Sequence, residues 1–219
     1  MTHLEQDLRD LPPIPPADWP APRVIFHLAA RGVDPSQADV GDLVQTNVVV
    51  TARLLGLAAT WRVERFVHFG SCLEYGSCRN VSEETLLSPE SEYGATKAAS
   101  TLLVSAVARR TGLSAVILRP FSVYGPLENP HRLVSTVAAQ ALRGETIHFT
   151  EGRQTRDFIF VDDVADAALA AVANQIEPGE VFNVCTGVET EVRQLVLAVL
   201  ELAGGHPEVR FGARPHPPT

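Results

Sequence analysis

Short apolar runs rich in β-branched and aromatic residues alternate along this chain with longer stretches whose apolar positions recur at helical spacing. Val24-Ile25-Phe26-His27-Leu28 is the first such run and predicts a buried strand. Leu43 to Trp61 follows with helical periodicity, and Arg65-Phe66-Val67-His68-Phe69-Gly70 predicts a second strand ending at Gly and Ser. Ser91 to Arg110 predicts a long helix, with Gly112 as its C-terminal stop. Ser114-Ala115-Val116-Ile117-Leu118 predicts a third strand, broken at Pro120. Beyond Pro120 the rhythm loosens: a helix at 131–143, a short strand near Ile147, a strand at 158–161, a helix at 162–173, a strand at 181–184 and a helix at 190–203. The segment up to Pro22 carries Pro12, Pro13, Pro15, Pro16 and Pro20 and predicts neither regular helix nor sheet.

Strands alternating with helices of these lengths predict a parallel α/β sheet built from right-handed crossovers. The run at 24–28 is apolar on both faces, as an interior strand of a parallel sheet must be. A length of 219 residues suits one large domain, or a main domain with a smaller lobe.

Composition narrows the function classes. Hydrophobic residues at 45% and charged residues at 20% are ordinary for a globular chain and argue against disorder. A net charge of −8 excludes nonspecific nucleic-acid or anionic-membrane binding as the main task, while leaving room for a local basic pocket. All but one of the 18 basic residues are Arg, the exception being Lys97. Cys72, Cys78 and Cys185 fit no zinc or redox spacing, and the seven His are scattered, so no metal site is expected. Free thiols, an acidic N-terminus without an apolar core, and an apolar helix at 161–173 interrupted by Asp162, Asp163 and Asp166 together predict a cytoplasmic protein that does not enter membranes. Asp162 and Asp163 read as N-terminal capping and dipole complementarity.

One juxtaposition carries chemistry. Tyr93 and Lys97 lie four residues apart near a helix start, which stacks them on one helix face with β-carbons roughly 5–6 Å apart. A phenol with a pKa of about 10 exchanges protons poorly at neutral pH, and a fixed cation nearby favours its ionised form. That is what a general acid–base requires. Ser71, at the carboxyl end of the preceding strand, could donate a hydrogen bond to a reacting oxygen. The bland alternative is a chance pair, but with three Tyr and a single Lys in the chain coincidence is a weak explanation.

Phe26-His27-Leu28-Ala29-Ala30, Asn47, Gly70-Ser71 through Glu74-Tyr75-Gly76, Tyr93 to Lys97, Arg119 to Pro126, Arg156 to Ala165 and Phe182-Asn183-Val184 follow one another in a familiar order. On these motifs the sequence, from about Asp7 to Arg214, resembles the extended short-chain dehydrogenase/reductase family, the NAD-dependent epimerase/dehydratase group. The resemblance implies a Rossmann-like doubly wound parallel sheet, lacking its first βαβ unit, with a small C-terminal substrate lobe. It divides the chain into a partial dinucleotide-binding domain at 1–121 and 155–174 and a substrate-binding lobe at 122–154 and 175–219. It implies NAD or NADP as cofactor and a nucleoside-diphosphate sugar as substrate. By the same resemblance, Tyr93 would exchange the proton, Lys97 would bind the nicotinamide ribose, and Ser71 would hydrogen-bond the reacting oxygen. Asp7 and Leu8 would border the adenine, Ala29 and Ala30 would line the dinucleotide, and Pro120 would pack near the nicotinamide. Cys72 and Ser122 would border the sugar, and Arg156 and Arg214 would contact its diphosphate. The helices at 43–61 and 91–111 could pair with a twofold mate, as family members do.

Two departures from the family pattern sharpen the expectation. No Gly-rich pyrophosphate turn occurs before Phe26, so the 219-residue chain is expected to bind NAD(P) weakly or not at all, either as the product of an internal start or as a natural truncation. Between Ser71 and Tyr75-Gly76, where dehydratases of the family carry acids, stand Cys72 and Leu73. Glu74 comes one position later and is expected to point elsewhere. Epimerisation at C4 or reduction of a 4-keto sugar is therefore preferred to dehydration. The competing reading is an impaired or inactive remnant that at most binds a sugar nucleotide.

Overall fold

The computed structural model describes residues 7–12, 14, 19–33, 39–204 and 208–213. The described residues fall into two compact units, Met1–Pro120 with Ala165–Val184, and Phe121–Val164 with Cys185–Thr219.

The first unit is built on a four-stranded parallel sheet. Its strands are β1 (Val24–His27), β2 (Arg65–Phe69), β3 (Ala115–Pro120) and β8 (Glu180–Val184), in the order β1-β2-β3-β8. Register places His27 beside His68 and Phe69 beside Leu118. The helical layer consists of a run over Val40–Trp61 and of α3 (Glu92–Thr111). Phe66 on β2 and Ile117 on β3 pack with Leu55 and Ala58 of the run and Val104 and Ala108 of α3 to form the core on that face. Arg65 and Val67 of β2 take the other face by strand alternation, and Arg65 there donates to the Asn174 carbonyl at 2.7 Å, just past the end of α5 (Val161–Ala173). Helices on both faces explain why Arg65, Phe66, Val67 and His68 are buried in succession. Among the described residues β1 has a single strand neighbour, and Phe26 is left 41% exposed.

The caps of α3 are those its sequence announces. Ser91 accepts the Gly94 N–H at 3.1 Å, Glu92 sits in the first turn, Arg109 and Arg110 in the last, and Gly112 closes the helix at φ 73°. The run over Val40–Trp61 contains a π-helical turn at Gln45–Val49 between α1 (Val40–Val44) and α2 (Val50–Trp61), which periodicity does not reveal. By length and composition alone this run could cross a membrane. Leu43, Val50, Leu55, Leu57 and Ala58 are buried in the unit's interior, which makes it a core helix.

In the second unit, α4 (Leu133–Arg143) and α6 (Val192–Leu202) pack around Val137, Ala141, Ile147, Val192, Val196 and Leu200. Three two-stranded sheets accompany them: β4 (Ser122–Tyr124) with β7 (Phe158–Phe160), β5 (Ile147–His148) with β10 (Val209–Arg210), and β6 (Thr155–Arg156) with β9 (Thr190–Glu191). Periodicity misses β4, β6, β9 and β10 because strands of two or three residues carry no period. The unit boundaries differ from those read in the sequence. Residues 175–184 join the first unit because β8 completes its sheet beside β3, and 155–164 join the second because β7 pairs with β4.

Candidate active site

Three segments of the first unit converge at the carboxyl ends of its strands: the turn after β2, the first two turns of α3, and the residues after β1. Gly70 leaves β2 with its N–H on the Leu118 carbonyl at 2.7 Å. Ser71 then caps a 3-10 turn, Cys72–Tyr75, in a capping box. Its hydroxyl oxygen accepts the Leu73 N–H at 3.2 Å, while its own N–H donates to Glu74 Oε1 at 2.8 Å. A hydroxyl that accepts this bond keeps a proton to donate.

The first turn of α3 lies directly against this turn. A Cβ on Gly94 would stand 2.5 Å from the Leu73 carbonyl oxygen, so only glycine permits that approach. One residue before Gly94, the Tyr93 ring reaches the loop after β1, where its Cδ2 would be 3.5 Å from a Cβ on Gly32. One turn on, Lys97 is buried and its ammonium donates to the Phe69 carbonyl, two residues before Ser71. Asn47, in the π turn, ties the ensemble together. Its side chain accepts the Arg31 N–H at 2.8 Å and donates to the Arg31 carbonyl at 3.0 Å and to Thr96 Oγ1 at 2.9 Å.

Lys97 is the dominant charge of this region. Burial pulls its pKa from 10.5 down to about 8, against the opposing pull of the Glu74 carboxylate. His27 and His68, neighbours across β1 and β2 with ring centroids 5.3 Å apart, are both buried. The Thr51 hydroxyl donates to the Asn47 carbonyl, so it accepts from His27 Nε2 at 2.8 Å. By the same logic Ser100, which donates to the Lys97 carbonyl, accepts from His68 Nε2 at 3.1 Å. Burial, with the charge of Lys97 second, brings His27 down to about 4 and His68 well below its ordinary value. Both rings are neutral at pH 7 and leave the ammonium as the local cation.

The remaining sequence candidates separate. Ala29 and Ala30 follow β1 directly and are half-buried, and Pro120 ends β3. Asp7 and Leu8 belong to a 3-10 turn docked on the helical run, where Arg53 donates to the Arg9 carbonyl; the Asp7 carboxylate is engaged by Arg9 at 2.6 Å, which holds its pKa at about 2. Cys72 is half-buried in the 3-10 turn. Ser122 on β4 and Arg156 on β6 belong to the second unit. Arg214 lies outside the described residues.

Glu74 corrects one expectation in its reason. It does point away from solvent, but in a 3-10 turn and not at a strand end. It is fully buried and ion-paired with Arg119 at 2.8 Å. The sequence signal for this was present: Ser71 followed three residues later by Glu is a capping-box pattern.

Residues 16–185 match the family model described as the NAD dependent epimerase/dehydratase family. The chain belongs to that family. Among its relatives, a UDP-glucose 4-epimerase of Mycolicibacterium smegmatis is 36% identical over 209 residues, covering 90% of this chain and 64% of the relative. A dTDP-glucose 4,6-dehydratase of Streptomyces antibioticus is 32% identical over 207 residues, covering 93% of this chain and 62% of the relative. The solved structure of MoeE5 in complex with UDP-glucuronic acid and NAD superposes with a TM-score of 0.78 at 35% identity, covering 87% of this chain and 66% of that one. The chain thus spans about two thirds of the length of these relatives, and within that span it has the Rossmann-type α/β fold of the family's epimerases and dehydratases.

Proposed function

We propose that this chain carries the proton-transfer side of an NAD(P)-dependent nucleotide-sugar 4-epimerase or 4-keto-sugar reductase. The observation that carries the reading is the buried Lys97 ammonium, one helical turn beyond Tyr93 and held on the Phe69 carbonyl two residues before Ser71. In this reading Tyr93 removes the proton from the sugar C4 hydroxyl, or returns it to the C4 ketone. Lys97 stabilises the phenolate and holds the nicotinamide ribose, and Ser71 donates its hydroxyl proton to the same C4 oxygen. NAD(P), when bound, supplies hydride acceptance and return.

The residues present fit one half of such a dinucleotide. An ammonium, a phenol and a hydroxyl brought to the carboxyl ends of parallel strands suit the nicotinamide ribose and a reacting oxygen. Ala29, Ala30 and Pro120 would line the cofactor, with Asp7 and Leu8 toward its adenine. Among the described residues no helix opens on a Gly-rich turn that would cradle the pyrophosphate. On the substrate side Cys72 would border the sugar. The compartment is the cytoplasm, and a homodimer through the helical run and α3 fits this reading.

Epimerase or reductase chemistry is preferred to dehydration because the residues following Ser71 are a half-buried Cys72 and a 41% exposed Leu73, while Glu74 is sequestered by Arg119. Incubation with NAD and UDP-glucose, followed by chromatography of the sugar nucleotides, tests the reading. Conversion that Tyr93→Phe abolishes supports it, and conversion indifferent to Tyr93 overturns it. The second reading is a sugar-nucleotide-binding protein without turnover. UDP-glucose binding by calorimetry, with no NADH binding by fluorescence titration and no conversion, would establish that instead.

A further inference from the structure

Beneath Ser71 lies a buried polar network that the reaction scheme leaves unused. Glu74 is fully buried, and its Oε1 accepts the Ser71 N–H at 2.8 Å and the Thr101 hydroxyl at 2.9 Å. Oε2 accepts Arg119 Nε at 2.8 Å. Arg119 in turn donates to the Tyr75 hydroxyl at 2.7 Å, which donates to Asn183 Oδ1 at 2.8 Å. One carboxylate therefore joins the turn after β2 to α3 and β3, and through Arg119 and Tyr75 to β8.

A buried ion pair of this kind is commonly no more stabilising than well-packed apolar side chains, so stability alone does not account for it. Its placement suggests what does. Two consecutive peptide groups, 69–70 and 70–71, lead to the Ser71 side chain, and three of their polar atoms are held. The Phe69 carbonyl is held by Lys97, the Gly70 N–H by Leu118, and the Ser71 N–H by Glu74. A Cβ on Gly70 would come within 2.5 Å of Glu74 Oε1, so the carboxylate is pressed against this backbone. Thr101 lies one helical turn beyond Lys97, so α3 grips the segment twice, through Lys97 on Phe69 and through Thr101 on Glu74.

We propose that Glu74 is a positioning residue that fixes the backbone presenting the Ser71 hydroxyl and serves as the buried counter-charge to the Lys97 ammonium. The proposal rests on reading Ser71 and Lys97 as the groups that face substrate and cofactor, but its test does not depend on turnover. The titratable groups around Lys97 are His27 on β1, His68 on β2, Tyr93 on its own helix and Glu74, with Arg119 behind Glu74. Both imidazoles are neutral at pH 7, which leaves Glu74 as the negative charge acting on Lys97.

Lys97 is the only lysine in the chain, so ε-13C-lysine labelling yields one side-chain resonance whose pH titration reports this group alone. In Glu74→Gln the titration midpoint of Lys97 should fall by roughly one pH unit, because an attractive charge is lost. The Ser71 amide, no longer bonded to a carboxylate, should exchange its hydrogen on the order of tenfold faster. Glu74→Asp retains the charge but shortens the reach. It should restore the Lys97 midpoint while leaving the Ser71 amide fast, a separation that a merely structural role would not produce. If the orphaned guanidinium of Glu74→Gln prevents folding, Glu74→Gln with Arg119→Met removes it; losing the adjacent positive charge offsets the Lys97 shift, so the faster Ser71 amide is the readout in that variant. An unmoved Lys97 midpoint and an unchanged Ser71 amide in a folded variant lacking the Glu74 charge overturn the proposal. A Tyr93→Phe variant with full turnover would instead overturn the catalytic reading and leave these spectroscopic results standing.

Discussion

Replacing Lys97 by Met should make the folded chain more stable at neutral pH, and the size of the gain follows from the burial of the ammonium. In the folded state Lys97 titrates at about 8, against 10.5 when exposed. The folded-state value is depressed, so the unfolded chain binds the proton more tightly, and stability rises with pH across that interval. At about 1.36 kcal/mol per pH unit, holding the charged group inside the fold below pH 8 costs about 3 kcal/mol relative to its neutral form. Methionine fills nearly the same volume without the charge, but orphans the Phe69 carbonyl, a loss of about 1 kcal/mol or more. The net expectation at pH 7 is a stabilisation of about 1–2 kcal/mol. It should shrink above pH 8 and change sign near pH 9 to 10 as the wild-type lysine becomes neutral. Urea unfolding followed by the fluorescence of Trp19 and Trp61, repeated at each pH, measures both curves. Tyr75, whose buried phenol has a raised pKa, affects both proteins equally above pH 10 and cancels in the difference. A Lys97→Met variant that is less stable at pH 7, or whose stability runs parallel to wild type through pH 8 to 10, would refute the reasoning.

Two further outcomes follow from the same region. His27 is held neutral down to about pH 4 when folded but takes its proton at about 6.5 when unfolded, so its contribution is fully present above 6.5 and is lost as pH falls toward 4. That loss reaches about 3 kcal/mol, and a His27→Leu variant should show a shallower acid limb in unfolding experiments; an unchanged limb contradicts the assignment. Gly94→Ala would bring a methyl to 2.5 Å from the Leu73 carbonyl, and should cost about 1–3 kcal/mol by thermal unfolding because α3 must retreat from the Ser71 turn; an unaltered midpoint would contradict that contact.

Much of this arrangement was legible in the residues themselves, for identifiable reasons. The strands at 65–69 and 115–120 are buried on both faces in large part and so read as apolar runs; the strand at 24–27 has the same apolar pattern although Phe26 is exposed, and α3 announces itself through Ser91 at one end and Gly112 at the other. Tyr93 and Lys97 are fixed by helical spacing alone, which is why a sequence can place them. The Glu74–Arg119 pair spans 45 residues and depends on β3 lying beside β2, information that no local pattern contains. The π turn at Gln45–Val49 was hidden for a related reason: it accompanies Asn47 reaching across to Arg31 and Thr96, which are distant in sequence. In the second unit, β6 and β9 are two residues each and exist only because the fold brings them together.

The most direct test of the central claim sets wild type beside Tyr93→Phe at millimolar NAD with UDP-glucose, while the Lys97 ε-13C titration monitors the integrity of the site. The account predicts that removing the phenolic hydroxyl lowers conversion by on the order of 10²–10⁴-fold, leaving the Lys97 signal in place as the mark of an intact fold. Conversion by the phenylalanine variant at the wild-type rate would contradict it.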